Sequence, residues 1–151
     1  MSAEQNLAPI FSGEFCHGLD SKNRITIPAR WRQGEADEFF LIADRSGRFL
    51  KVMPTAEFRA VAERVANTPG IGAQDRQVFL RQFYSRSKQV ISDKQGRLVV
   101  PVELCDSLNL RGEIFLVGAH DTFELWNRET WEATKREEAR TFDHVANLIG
   151  L

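Results

Sequence analysis

Asp20-Ser21-Lys22-Asn23-Arg24-Ile25-Thr26-Ile27-Pro28 returns 73 positions later as Asp93-Lys94-Gln95-Gly96-Arg97-Leu98-Val99-Val100-Pro101. Each copy is an Asp-x-x-x-Arg, three β-type residues and a proline, in the same order. A repeat of this kind decides the architecture before any single element does, because two copies of one supersecondary unit must be packed against each other. Working outward, Phe39-Phe40-Leu41-Ile42-Ala43 matches Ile114-Phe115-Leu116-Val117-Gly118 after a two-residue gap. Leu50, Val52, Met53 and Phe58 then match Phe123, Leu125, Trp126 and Trp131 at the original offset.

Each copy reads as a strand, a tight polar turn, a second strand stopped by proline, a short helix, two more strands and a longer helix. Residues 11–19 alternate, with Phe11, Phe15 and Leu19 on one side of a pleat. The turns draw on Asp, Ser and Asn, which hydrogen-bond their own backbone and tolerate positive φ, and Gly96 stands where the first copy has Asn23. Both turns are therefore expected to be the tight connections of β-hairpins, with Asp20, Asn23, Asp93 and Gly96 as the residues that shape them. Pro28 and Pro101 cannot donate to a sheet ladder but suit a first helical turn, so short helices are expected over 28–33 and 101–108.

Phe58, Val61, Ala62 and Val65 fall at i, i+3, i+4 and i+7 and predict an amphipathic helix ended by Pro69-Gly70. A second helix is expected over about 75–84. A last one should start after Asn127, a good N-cap, with Trp131, Thr134, Phe142, Val145 and Ile149 tracing an apolar stripe. Trp131 and Phe142 read as core or subunit contacts, and Cys16 and Cys105 as small buried hydrophobes.

A lone hairpin is only marginally stable in water, whereas two related hairpins can bury each other's apolar faces. Packed about a pseudo-two-fold axis, Ile25, Ile27, Leu98 and Val100 share one barrel-like core, and the turns that carry Arg24 and Arg97 project from one face. The expected class is α+β, two tandem β units forming a small pseudo-symmetric barrel with helices after each copy. The expected organisation is an extension over 1–9, a first repeat over 10–69, a linker helix over 70–85, a second repeat over 86–140 and the end of a C-terminal helix over 141–151.

Twenty basic and 21 acidic residues give a net charge of −1, which hides an uneven distribution. Residues 76–97 hold six basic groups against one acid, and residues 20–32 hold four against one; residues 98–151 hold five against ten. Arg24 and Arg97 are the strongest candidates for nucleic-acid contacts, since a guanidinium can grip a phosphate or read guanine with two parallel bonds. Lys22 and Lys94 should approach phosphates, and Arg30, Arg32, Arg86 and Lys88 would extend the basic surface. Asp20 and Asp93 would cap the turns or hold the arginine forks by ion pairing. The competing reading is that each Asp-Arg pair merely staples its turn.

Other chemistry finds little support. Cys16 and His17 are neighbours on a strand and point to opposite faces, so they do not make a nucleophile and base. Two cysteines without a CxxC and three scattered histidines give no zinc pattern, and Gly70-Ile71-Gly72 lacks the third glycine of a nucleotide loop. The expectation is a non-enzyme with no catalytic residues, no metal, no cofactor and no small-molecule substrate. No stretch approaches the roughly 18 apolar residues that cross a bilayer, and nothing at residues 1–6 resembles an export signal, so no membrane partner and a cytoplasmic location are expected.

Gly13-Glu14-Phe15, the run Leu19 to Pro28, Asp93 to Arg97, Val117-Gly118-Ala119 and Phe123-Glu124-Leu125-Trp126 together closely resemble the MraZ family of the AbrB/SpoVT swapped-hairpin superfamily. The resemblance spans about residues 10–140 and includes two Asp-x-x-x-Arg motifs at the family's spacing. Asn23 departs from the glycine usual there, and the first nine residues precede the usual start. The resemblance implies two AbrB/SpoVT-like swapped-hairpin units. It also implies a nucleoid-associated transcriptional regulator that binds short repeated promoter boxes on double-stranded DNA. Those boxes belong to the division and cell-wall gene cluster, its own gene included, and the regulator assembles as a ring-like homo-oligomer. The alternative is a ring scaffold or protein-partner-binding module without specific DNA readout, since AbrB-type folds also serve as antitoxins.

Overall fold

Three-residue strands cannot hold a sheet alone, and the way this chain supports two of them sets its topology. The computed structural model describes residues 9–151; residues 1–8 of the expected extension lie outside the described residues. In chain order the elements are β1 (Glu14–Gly18), β2 (Arg24–Thr26), a 3-10 turn (Ala29–Trp31), β3 (Glu38–Ala43), β4 (Phe49–Pro54), α1 (Thr55–Asn67) and α2 (Ala73–Ser85). There follow β5 (Lys88–Ile91), β6 (Arg97–Val99), α3 (Val102–Ser107), β7 (Glu113–Gly118), β8 (Phe123–Asn127) and α4 (Arg128–Leu148).

β1 and β2 are joined by the first polar turn yet do not pair with each other. β1 lies antiparallel to β7 of the other copy, and β5 lies antiparallel to β3 of the first. β2 pairs with β6, Ile25 opposite Leu98. The large sheet runs β1-β7-β8-β4-β3-β5, an order that reads identically from either end when the two copies are exchanged, with β4 and β8 meeting at the centre. The expected hairpin connections are thus corners between the large sheet and the β2–β6 ribbon.

The fold is mixed α and β with antiparallel sheets, as the repeat predicts, but the described strands do not close into a hydrogen-bonded barrel. β2 and β6 bond only to each other, so the ladder stops at the edges β1 and β5 and the ribbon covers the sheet's inner face as a separate two-stranded sheet. Ile25, Ile27, Leu98 and Val100 are fully buried in that space, as the sequence pattern requires, against Leu41, Leu50, Val52, Leu116 and Leu125 from the sheet. Each such side chain contributes roughly 1.5–3 kcal/mol by leaving water. Trp31 fills the corner beside Phe11, Phe15 and Phe123, and its indole N–H donates to the Ser12 carbonyl at 3.0 Å.

Pro28 precedes only a single 3-10 turn, Ala29–Trp31, shorter than the helix expected over 28–33, whereas Pro101 opens the helix expected over 101–108 as Val102–Ser107. α1 lays Phe58 and Val61 on the outer face of the sheet, where Phe58 stacks on Phe40 at 3.9 Å. α2 starts two residues before the expected Asp75 and buries no side chain; the Tyr84 hydroxyl ties it to α1 by donating to the Phe58 carbonyl at 2.7 Å. Asn127 caps α4 by accepting from the Thr130 N–H at 3.2 Å. Trp131 and Thr134 pack as the stripe requires, but Phe142, Val145 and Ile149 face solvent, so Phe142 is not a core residue. Cys105 is buried while Cys16 is exposed, because β1 alternates at the sheet edge and turns Cys16 outward. Among the described residues no helix is long and apolar enough to cross a membrane.

Candidate nucleic-acid interface

The two turns are built identically. Asp20 Oδ1 accepts from the backbone N–H groups of Lys22 and Arg24, both at 2.9 Å, and Asp93 Oδ1 accepts from Gln95 at 3.0 Å and Arg97 at 2.9 Å. The chain then passes through the left-handed region at Asn23 (φ 58°) and Gly96 (φ 78°). Each of these residues offers its carbonyl to the other copy: Asn23 accepts from Val100 N–H and Gly96 from Ile27 N–H, both at 2.8 Å. The turns are therefore locked to the ribbon they flank.

The second oxygen of each aspartate orients an arginine. Arg24 Nε donates to Asp20 Oδ2 at 2.7 Å, and Arg97 Nε to Asp93 Oδ2 at 2.8 Å. The backbone N–H of Arg24, followed by its guanidinium, holds the Asp20 carboxyl down to about 2; the same contacts from Arg97 lower Asp93. Because the pairing consumes Nε, the terminal Nη groups remain, and neither arginine donates them to a hydrogen bond among the described residues. Those nitrogens remain available to an incoming acceptor.

Ribbon register puts both arginines on one face. Ile25 and Leu98 point inward and are fully buried, so Arg24, Thr26, Arg97 and Val99 point outward, with Arg24 opposite Val99 and Thr26 opposite Arg97. Lys22 and Lys94 are exposed at the turn tips. Residue type gives Thr26 and Val99 no role in such a site, although strand alternation alone puts them beside the arginines. Val99 is 52% exposed, an apolar group at the middle of this face.

The flanks of the ribbon differ. Arg32 crosses behind the second turn: its Nε donates to the Ile27 carbonyl at 3.1 Å and lies 2.2 Å from where a Cβ on Gly96 would be. Arg30 is exposed and rests its guanidinium on the Phe15 ring, 4.9 Å from the centroid. At the equivalent positions of the second copy stand Glu103 and Cys105, and nearby Arg111 is paired with Asp106 at 2.8 Å. Arg32 thus lies against the second turn, and Arg30 and Arg32 border one shallow hollow beside Thr26 and Ile27. Arg86 and Lys88 lie apart, at the α2–β5 junction, where Arg86 donates to Gln82 Oε1 at 2.8 Å. Lys88 begins β5, roughly 17 Å along the chain from the turn at 3.3 Å per residue.

Comparison with known proteins gives one consistent answer. The family model described as "MraZ protein, putative antitoxin-like" matches residues 10–81 and again 83–151. A protein named transcriptional regulator MraZ from Pediococcus pentosaceus is 36% identical over 141 residues, 93% of this chain and 97% of its own length. Its namesake from Leuconostoc mesenteroides is 35% identical over 137 residues, 91% of this chain and 94% of its own length. That from Clostridium tetani is 36% identical over 123 residues, 82% and 85% respectively.

Proposed function

The chain belongs to the MraZ family, and from that membership we propose that it is a sequence-specific DNA-binding transcriptional regulator with no enzymatic activity. Its targets are short repeated boxes in the promoter of the division and cell-wall gene cluster, its own gene included. The organisation proposed is two swapped-hairpin repeats, 10–69 and 86–140, around a linker at 70–85, with 1–9 and 141–151 as terminal additions. It works in the cytoplasm on the nucleoid, as a ring-like homo-oligomer.

One observation carries this reading: Arg24 and Arg97 share the outward face of a two-stranded ribbon, each aimed through Nε by its own aspartate with the terminal nitrogens unused. A two-stranded β-ribbon fits the major groove, where such a fork matches guanine O6 and N7 or straddles a phosphate. Lys22 and Lys94 add phosphate contacts at the turn tips. Arg30 and Arg32 extend that track beside the second turn, and Arg86 and Lys88 serve as outlying contacts. Val99, between the arginines, offers an apolar surface to a thymine methyl group.

One ribbon supplies only a few contacts, so repeated boxes engaged by several joined copies raise the affinity through effective concentration. The test is fluorescence anisotropy with the duplex immediately upstream of the protein's own gene against a shuffled duplex, at two salt concentrations. Preference for the native duplex with a steep loss at higher salt is expected. Equal binding to both duplexes at either salt would leave only non-specific attraction and remove the regulator reading.

A further inference from the structure

We propose that a hollow between β1 and the end of β2 seats one sugar–phosphate step of the bound DNA backbone, and that each copy therefore lies on its box in a single direction. The inference rests on the DNA-binding reading above and adds to it a seat, the contact residues His17 and Thr26, and a polarity.

The ribbon by itself is nearly indifferent to direction. At the repeat offset of 73, Arg24 exchanges with Arg97 and Thr26 with Val99, and each arginine is held through Nε by its own aspartate in the same way. A half-turn of the ribbon on DNA would put one fork where the other stood, with only Thr26 and Val99 to tell the two placements apart. Direction has to come from the flanks, and these are built differently.

The hollow beside β2 has a volume of about 370 Å³. Phe15, Ile27 and Pro28 give it an apolar floor suited to the face of a deoxyribose. His17, Thr26, Arg30 and Arg32 complete the lining, and among the described residues no carboxylate contributes to it. Arg30 rests on the Phe15 ring at 4.9 Å, and Arg32 spends Nε on the Ile27 carbonyl at 3.1 Å. Neither has an ion-pair partner among the described residues, so both keep their terminal nitrogens for a phosphate. Thr26 stands directly opposite Arg97, so the hollow adjoins the second fork, and a DNA strand gripped by that fork meets the hollow next.

The second repeat builds no such seat. Where the first has Phe15, His17, Arg30 and Arg32, it has Lys88, Val90, Glu103 and Cys105. The space beside the first turn, about 270 Å³, is lined instead by Asp20 and Asp106, and its arginine, Arg111, is bound to Asp106 at 2.8 Å. A copy turned end for end would bring Glu103 and Asp106 toward the phosphate that Arg30 and Arg32 hold, and that juxtaposition of like charges selects against the placement.

An iron–EDTA chelate tethered to a cysteine cuts the DNA beside it and so reads direction. In a Cys16→Ser background, where the remaining Cys105 is buried, Gln33→Cys places the chelate next to Arg32 and Ser107→Cys places it at the end of α3 beside the first turn; both positions are exposed. The full-length proteins are run on the duplex immediately upstream of the protein's own gene and on a shuffled duplex, with the labelled Cys16→Ser parent as background. At one end of the protected stretch the Gln33 chelate should cut about tenfold more than the Ser107 chelate, and at the other end the reverse. The exchange Arg30→Glu/Glu103→Arg, which keeps the net charge, should even the two ends to within about twofold. Arg30→Ala/Glu103→Ala should do the same and decides the matter if the exchange no longer folds by circular dichroism or no longer binds. Native-duplex cutting that is even at both ends for the wild type, or a one-sidedness that survives in whichever variant binds, overturns the inference alone. Equal cutting of native and shuffled duplexes, or none above background, would remove the regulator reading and take this inference with it.

Discussion

Asn23 and Gly96 hold the same left-handed backbone for different reasons. Asn23 is one of the few side-chain-bearing residues that accept this region, so Asn23→Gly should change stability by no more than about 0.5 kcal/mol. Gly96 has no such freedom to vary: a Cβ there would meet the Arg32 side chain at 2.2 Å, so Gly96→Ala combines the left-handed penalty of about 1–2 kcal/mol with displacement of Arg32. Thermal unfolding of the two variants side by side should show a marked drop for Gly96→Ala only. The turn chemistry of both residues is legible in the sequence, because Asp, Asn and Gly at those offsets have few other uses. The crossing of Arg32 is not legible, since nothing in residue spacing says which side chain covers a glycine 64 positions away. The aspartates make a second prediction. Their folded-state carboxyls titrate below the ordinary carboxylate range, Asp20 at about 2, so the stabilisation they give is complete above pH 4 or so and is lost as pH falls toward 2. Asp20→Asn should flatten the acid limb of stability measured by chemical denaturation between pH 5 and 2.

Among elements, β2 and β6 illustrate what periodicity can and cannot reveal. Alternation identifies Ile25, Ile27, Leu98 and Val100 as inward residues, and they are fully buried. It does not name the neighbour across the hydrogen bonds, so the exchange of β1 and β5 between copies and the open edge of the large sheet emerge only from the three-dimensional pairing. Leu98→Ala should cost about 2–5 kcal/mol in urea unfolding, since its cavity would lie in the shared core, while the adjacent Val99→Ala, facing solvent, should stay within about 0.5 kcal/mol. The same limit explains α4. A stripe at helical spacing shows that a face is apolar but not what covers it, and Trp131 and Phe142, alike in the sequence, end in different surroundings.

For the molecule as a whole, a net charge of −1 is compatible with a basic face because the excess positive charge is confined to segments 20–32 and 76–97. The fold brings the turn ends of those segments together on one ribbon and leaves Arg86 and Lys88 at the far end of β5, a division that counting charges along the chain cannot make. The slope of log affinity against log salt reports how many phosphates the assembled face neutralises, and Lys22→Ala should lower that slope by about 1 per bound copy while weakening specific and shuffled duplexes alike. The arginines should behave differently, because a fork that reads a base loses discrimination as well as charge. The most direct measurement is therefore promoter-duplex anisotropy for Arg24→Ala, Arg97→Ala and the double variant, each first shown to retain the wild-type mass. Each single change is expected to cost about 1–3 kcal/mol of specific binding, with the double variant indistinguishable between native and shuffled duplex. A double variant that keeps wild-type preference for the native duplex would contradict DNA recognition by the ribbon.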